Sequence, residues 1–151
     1  MIRKKAFTTF ELMLVLTLIS ISIGIAMVYS RLSLVRADLN AQTTEIMSAL
    51  RLAQSQAAAG QGGVSHGVHL ETGKYVIFEG SSYSEGTSGN LEKELPPTLN
   101  IQNISLNGGG SDIIFTPPYG ETSTYGSLEL SSSGSGQSHT ITISNLGLVQ
   151  Y

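Results

Sequence analysis

A long apolar segment near the N-terminus is the strongest pattern in the sequence. The basic residues Arg3, Lys4 and Lys5 precede it, and no charged residue occurs in residues 12–30. As an α-helix with a rise of about 1.5 Å per residue, these 19 residues reach about 28 Å, close to the ~30 Å hydrocarbon core of a bilayer. The segment therefore predicts a membrane-spanning helix with a cytoplasmic N-terminus and an exported remainder.

Two simpler interpretations of this segment are a cleaved secretory signal and a plain membrane anchor. A secretory signal has a shorter apolar core, of about 7 to 15 residues, followed by a cleavage site of the A-x-A type. Residues 24–34 contain no such site. A plain anchor leaves Glu11 unexplained, because a carboxylate within an apolar helix costs about 2.5 to 3.5 kcal/mol at the bilayer centre. The position of Glu11 therefore indicates a function.

The residues at the start of the segment, Lys5-Ala6-Phe7-Thr-Thr-Phe-Glu11, resemble the class III signal of type IV prepilins. The resemblance implies that residues 1–6 are a leader with a basic part at Arg3, Lys4 and Lys5. It also implies cleavage after Ala6 by prepilin peptidase and N-methylation of the new first residue, Phe7. Most members of the family have Gly at the position of Ala6, and some accept Ala.

The same resemblance implies a role for Glu11 in assembly. Cleavage creates an α-amino group on Phe7, and the reference pKa of such a group, near ~8, makes it positive at neutral pH. In the family, this amine of an incoming subunit pairs with the glutamate of a neighbouring subunit. Pairing offsets much of the desolvation cost of each charge in an apolar helix bundle. We therefore expect this charge pair to set the register between subunits.

The helical pattern continues beyond the apolar segment. Apolar residues recur at steps of three, four or seven, which places them on one helical face: Leu32, Val35, Leu39, Ile46, Leu50, Ala53 and Ala57. With no proline and one internal glycine, a single helix is predicted from Phe7 to about Ala59. Residues 7–30 form its transmembrane half and residues 31–60 its amphipathic half. A band of small residues suited to close helix contacts lies in the first half, at Thr17, Ser20, Ser22 and Gly24.

Residues 61–151 predict a β-rich head. From Val64 the apolar period changes to two, and turn residues become frequent. Seven strands are predicted, at 64–70, 74–79, 99–106, 112–116, 127–130, 140–144 and 148–151. Segments rich in Gly, Ser or Pro are predicted to be turns and flexible loops, at 80–90, 108–110, 117–126 and 131–137.

A long helix followed by short strands predicts an α+β subunit in which the helix packs on a small antiparallel sheet. The Ala-rich helix end at 48–59, the strand Tyr75-Val-Ile-Phe78 and the segments 113–120 and 140–149 resemble GspH/FimT-type minor pilins and pseudopilins. The resemblance implies the type IV pilin fold and a structural subunit of a type IV pilus or a type II secretion pseudopilus. It implies a single pass through the inner membrane and, after assembly, a head in the periplasm or at the cell surface. The implied partners are other pilin-like subunits, prepilin peptidase/methylase, the inner-membrane assembly platform and, before assembly, membrane lipid.

A second interpretation keeps the membrane anchor without polymerisation, so that the head is a surface binding module. An enzyme is the least favoured class. The chain has no Cys, which excludes thiolate chemistry, and it has no G-x-S-x-G, P-loop or dinucleotide-binding motif. We therefore predict no catalytic residue and no cofactor.

Metal binding is not predicted either. His66 and His69 are three positions apart, which on a strand places them on opposite faces. Together with His139, they are interpreted as surface or loop histidines. Asp112 and Glu121 are the acids considered for calcium, but no dense acidic loop surrounds them.

We predict no measurable DNA binding by the head at physiological salt. Without the leader, the chain has five basic and eleven acidic residues, and the last basic residue is Lys93. Binding to DNA phosphates depends on clustered basic side chains that release counterions. Fluorescence anisotropy with labelled duplex DNA tests this, and a micromolar affinity that falls with added salt would contradict it.

Overall fold

The structure is a computed structural model of the 151-residue chain. It describes the backbone of residues 8–151 and the side chains of residues 8–27 and 36–151. The chain divides into two compact units, of which the first ends at Val35 and the second begins at Arg36.

Helix α1 runs from Thr9 to Ala58 and contributes to both units. The predicted helix, from Phe7 to about Ala59, is confirmed from Thr9 onward, and Phe7 lies outside the described residues. The helix ends at Ala58, and Gly60, two residues later, has a left-handed conformation with φ 65°. Glycine adopts this conformation without the steric cost of a Cβ, so Gly60 is a favourable helix stop. A short 3-10 turn, Gln61–Gly63, follows.

The predicted apolar stripe of α1 is buried wherever its side chains are described. Each of its members from position 39 onward has at most 1% of its surface exposed: Leu39, Ile46, Leu50, Ala53 and Ala57. Thr43 lies on the same face and is fully buried, and its hydroxyl donates a 2.7 Å hydrogen bond to the Leu39 carbonyl oxygen. Leu32 and Val35 lie outside the described side chains.

Within the described backbone, nine strands form two antiparallel sheets rather than the one small sheet that was predicted. Their bounds are β1 His66–Glu71, β2 Lys74–Glu79, β3 Leu91–Glu94, β4 Leu99–Leu106, β5 Asp112–Thr116, β6 Glu121–Thr122, β7 Gly126–Ser132, β8 Ser138–Ile143 and β9 Val149–Gln150. The five-stranded sheet has the order β3-β2-β1-β5-β6, and the four-stranded sheet has the order β4-β7-β8-β9. Both sheets and the second half of α1 contribute to one apolar core.

Three of the seven predicted strands have the predicted bounds, four differ from them by one or two residues at each end, and two further strands were not predicted. Strands β3 and β6 were not predicted, because β3 has the sequence Leu-Glu-Lys-Glu with every residue exposed, and β6 has only two residues. Neither strand has the apolar alternation that a half-buried strand produces. Both lie at the edges of the five-stranded sheet, where charged side chains and short strands are usual.

Gln54 connects α1 to two turns of the head. Its side-chain amide nitrogen donates to the carbonyl oxygen of Leu146 at 3.2 Å and to that of Gly120 at 3.4 Å. Gly120 has φ 67° and Gly147 has φ 80°, a backbone conformation that residues other than glycine rarely adopt. A Cβ on Gly147 would overlap the Gln54 amide and lie 2.5 Å from the Gly120 carbonyl oxygen. Both turns therefore approach the helix at a distance that only glycine permits.

We expect Gly147→Ala to lower the free energy of unfolding by about 2 to 4 kcal/mol, because it adds steric overlap to backbone strain. Gly136→Ala is the matched control, since Gly136 has φ 64° but a Cβ at that position would meet no other described part of the chain within 4 Å. This control should lower the free energy of unfolding by only about 1 kcal/mol. Denaturant unfolding of residues 36–151 measures both, and equal losses would contradict the role of the close contact.

Candidate functional site

The first half of α1 presents its apolar side chains to its surroundings. Every residue from Thr8 to Met27 is exposed. Within the described residues, Thr9–Met27 is a helical stretch long and apolar enough to cross a membrane, with a mean hydropathy of 2.2 and none of it buried. An apolar helix that is exposed all round needs a bilayer or other apolar helices around it. This segment is the candidate site of membrane insertion and subunit contact.

Glu11 lies in the first turn of α1 and is exposed. Thr8 caps this turn, because its hydroxyl oxygen accepts a hydrogen bond from the Glu11 backbone N–H at 3.3 Å. Thr8 and Glu11 have the spacing of a capping box, and a carboxylate near a helix N-terminus is stabilised by the helix dipole. The local structure therefore holds an acid at the start of the apolar helix.

Three hydroxyl groups of the apolar segment bond to the helix itself. Thr17 donates to the Leu14 carbonyl oxygen, Ser20 to that of Leu16, and Ser22 to that of Leu18, each at 2.8 Å. These bonds satisfy the hydroxyls without water, which suits an apolar environment. Contact of this small-residue band with another helix remains a prediction.

The residues predicted to be processed lie outside the described residues. They are the basic leader residues Arg3, Lys4 and Lys5, and the cleavage-site residues Ala6 and Phe7. Their roles remain predictions.

The prediction of surface or loop histidines is wrong for His66, which is 5% exposed on β1, and it misses the contacts of the other two. The His66 Nε2 donates to the Gln61 carbonyl oxygen at 3.1 Å. The His139 Nδ1 lies 3.1 Å from the Thr43 hydroxyl oxygen. Because the Thr43 hydroxyl already donates to Leu39, the His139 Nδ1 is the donor in this contact. Internal hydrogen bonds of this kind make a buried polar ring tolerable.

His69 belongs to a polar cluster on the outer face of the five-stranded sheet, the face away from the main core. Its Nδ1 lies 2.5 Å from Asp112 Oδ1, and its Nε2 lies 3.5 Å from Glu71 Oε1. The Lys74 ammonium group contacts Glu92 at 2.9 Å and Glu71 at 3.7 Å. The hydrogen bond to Glu92 raises the pKa of Lys74 above its usual value. Each ring nitrogen of His69 faces a different carboxylate. The ring therefore lies between the two acids, and the three side chains do not surround a common metal position.

The two acids considered for calcium are not brought together. Asp112 begins β5, whereas Glu121 pairs with Thr116 at the other end of that strand, about 13 Å away at ~3.3 Å per residue. Glu121 lies in an open groove of about 340 Å³. The groove is lined by Thr116, Glu121, Thr122, Ser123, Asn145 and Leu146. Among the residues whose side chains are described, no group of three or more His, Asp or Glu is arranged to hold a metal ion.

Polar contacts between α1 and the sheets were not predicted. The Arg51 guanidinium donates to the Val149 carbonyl oxygen at 3.3 Å, and the Glu45 carboxylate lies 3.7 Å from the Lys93 ammonium group. Burial raises the pKa of the Tyr75 hydroxyl, and the neighbouring Glu45 carboxylate adds to the effect. Glu45 and Lys93 are 48 positions apart, and Arg51 and Val149 are 98 positions apart, so no local sequence pattern connects either pair.

A helix with an exposed apolar first half and one buried face in its second half, followed by two antiparallel sheets, defines an α+β subunit of the type IV pilin class. The family model described as type II transport protein GspH matches residues 42–147, which is well over half of the chain. The chain therefore belongs to the GspH family, whose members are structural pseudopilins of type II secretion systems. A search of curated proteins found no significant match, and neither did a search of solved structures.

Proposed function

We propose that this chain is a pseudopilin subunit that is stored in the inner membrane, processed after Ala6 and assembled through its N-terminal helix. In this proposal, residues 1–6 are the leader, residues 7–30 cross the membrane, and the head of residues 61–151 is exported. Prepilin peptidase/methylase trims and methylates the chain at Phe7, and an assembly platform adds it to other pilin-like subunits. The observation that carries the proposal is the fully exposed apolar helix Thr9–Met27 with Glu11 in its first turn.

The energetic argument concerns the two environments of this helix. In a bilayer, the apolar side chains are removed from water. Glu11 is near the start of the helix and lies toward the headgroups, where inserting a carboxylate costs less free energy than at the bilayer centre. In a bundle of subunit helices, the apolar side chains are again satisfied, but Glu11 needs a partner of opposite charge. The α-amino group of Phe7 from another subunit is the proposed partner. Transfer of the helix from lipid to the bundle then favours subunits that carry both the α-amino group of Phe7 and the carboxylate of Glu11.

The head supports the same function through its attachment to the helix. Leu39, Ile46 and Leu50 are part of the main core, and Gln54 and Arg51 bond to the backbone of the head. The part of α1 from Arg36 onward is therefore built into the head as one layer of its fold. A subunit of this kind carries its head into any assembly that its helix joins.

We expect Glu11→Ala to insert into the membrane normally and to enter the pseudopilus at least about tenfold less than the parent chain, because the amine of the neighbour loses its partner. Glu11→Gln, which is neutral, should reduce incorporation to a similar extent, and Glu11→Asp, which keeps a carboxylate, should recover part of it. Ser20→Ala, in the same helix, is the control that keeps the charge. Quantitative immunoblotting of sheared and membrane fractions measures incorporation. Normal incorporation of Glu11→Ala would contradict the charge pair.

Mass spectrometry of the mature chain tests processing. We expect a chain that begins at Phe7 and carries one N-methyl group in place of an amine hydrogen, and Ala6→Gly should be processed at least as completely. A bulky residue in Ala6→Leu should block cleavage by filling the space for a small side chain. A chain that still begins at Met1, or one cut after the apolar segment, would instead favour a membrane-anchored or secreted binding module that does not polymerise.

A further inference from the structure

The outer face of the five-stranded sheet has a small apolar layer of its own. On β2, Tyr75 and Ile77 point to the main core, while Val76 and Phe78 lie on the opposite face and do not belong to that core. Val76 is 1% exposed and Phe78 is 2% exposed. The Phe78 ring lies over Gly67, the residue opposite it on β1, at a distance that leaves no room for a Cβ. Something on the outer face must therefore shield this layer from water.

Residues 80–90, here called the strap, supply that shield through Tyr83. The Tyr83 ring stacks on the His69 ring, with centroids 4.0 Å apart and planes 9° apart. The same ring meets Phe78 edge to face, with centroids 5.9 Å apart. Both geometries are favourable aromatic contacts. Tyr83 thus lies against the outer apolar layer.

Polar contacts fix the position of Tyr83. Its backbone N–H donates to Asp112 Oδ2 at 3.4 Å, and the other oxygen of that carboxylate bonds to His69. Asp112 therefore orients the ring on which Tyr83 stacks and also holds the backbone of Tyr83. The anchor combines side chains of β1 and β5 with one residue of the strap.

Gly80, at the first end of the strap, donates its backbone N–H to the Ser65 carbonyl oxygen at 2.7 Å, and the rest of the strap bonds to itself. The Thr87 hydroxyl and the Asn90 side-chain amide both donate to the Ser84 carbonyl oxygen at 2.9 Å, and the Asn90 backbone N–H donates to the Thr87 carbonyl oxygen. Residues 84–89 are exposed. Gly80 has φ 124° and Gly89 has φ 111°, so each end of the strap has a residue with unusual backbone freedom. These features describe a locally closed unit with glycine at both ends and an aromatic anchor.

We propose that residues 80–90 are a hinged strap that opens as a unit when Tyr83 leaves His69, and that opening exposes Val76 and Phe78 while the main core stays closed. The strap has few apolar contacts of its own, and segments of this kind open at a lower free energy than a core. The proposal concerns a conformational device in the head and is independent of how the N-terminal helix assembles. Residues 80–90 contain no helix or strand, as predicted for a loop, and the proposal adds that they move as a unit.

The absence of cysteine from the chain allows a direct test, because one introduced thiol is a unique reporter. Val76→Cys places the thiol in the outer layer, and Val68→Cys places it in the main core, where Val68 is 0% exposed. The full chain in detergent micelles is treated with a thiol-reactive dye, and the labelling rate is measured for each reporter. Each reporter is combined with Tyr83→Ala, which removes the anchoring ring, or with Tyr83→Phe, which keeps it.

With Tyr83→Ala, we expect the thiol at position 76 to be labelled about tenfold faster or more, because the ring contacts that close the strap are lost. The thiol at position 68 should keep its rate. Tyr83→Phe should leave both rates within about twofold of the parent, since the stacked ring remains. An unchanged rate at position 76 with Tyr83→Ala would overturn the proposal. A parallel increase at position 68 would also overturn it, because the whole head would then be opening.

Discussion

The apolar side chains from Phe10 to Met27 cannot remain in water, and this constraint determines the surroundings that the first half of α1 requires. Burial of apolar surface contributes about 25 cal/mol per Å², so these exposed side chains favour lipid or the helices of other subunits. The hydroxyls of the segment already bond within the helix and suit both environments. In the proposed function, Glu11 is the group that distinguishes them, because lipid offers a carboxylate no partner of opposite charge, whereas the proposed partner is the α-amino group of a neighbouring subunit.

The same helix serves as a structural layer in the head from Arg36 onward. Apolar packing of its buried stripe supplies cohesion, but such packing is largely non-directional. The bonds of Gln54 and Arg51 to carbonyl oxygens of the head, and the contact of Thr43 with His139, add directional restraints at separate points along the helix. The two turns that meet Gln54 approach closely because they contain Gly120 and Gly147. Cohesion and orientation thus come from different interactions.

The five-stranded sheet has apolar side chains on both faces of β2, unlike a sheet with one face in water. Tyr75 belongs to the core and Ile77 packs against it, whereas Val76 and Phe78 lie on the other face, where the Tyr83 ring contacts Phe78. The consecutive run Tyr75-Val-Ile-Phe78 is a sequence signal of such two-sided burial, although it does not identify the covering segment. The polar cluster around His69 and Asp112 holds Tyr83 against the outer face of the sheet. Its charged side chains therefore have structural partners.

Features that depend on local periodicity and on single residues could be predicted from the amino-acid sequence alone. A period near 3.6 predicted the second half of α1 and its buried stripe, and a period of two predicted strands such as β7 and β8. The segment from Lys5 to Glu11 resembled a type IV prepilin signal, and the Ala-rich helix end together with segments of the head resembled the GspH/FimT-type proteins. The folded chain was needed to establish the pairing of strands into two sheets, the edge strands β3 and β6, the burial of His66 and the contacts of Tyr83 with His69. These features join residues that are distant in sequence, and their energy comes from hydrogen bonds and ring contacts that form only after the chain has folded.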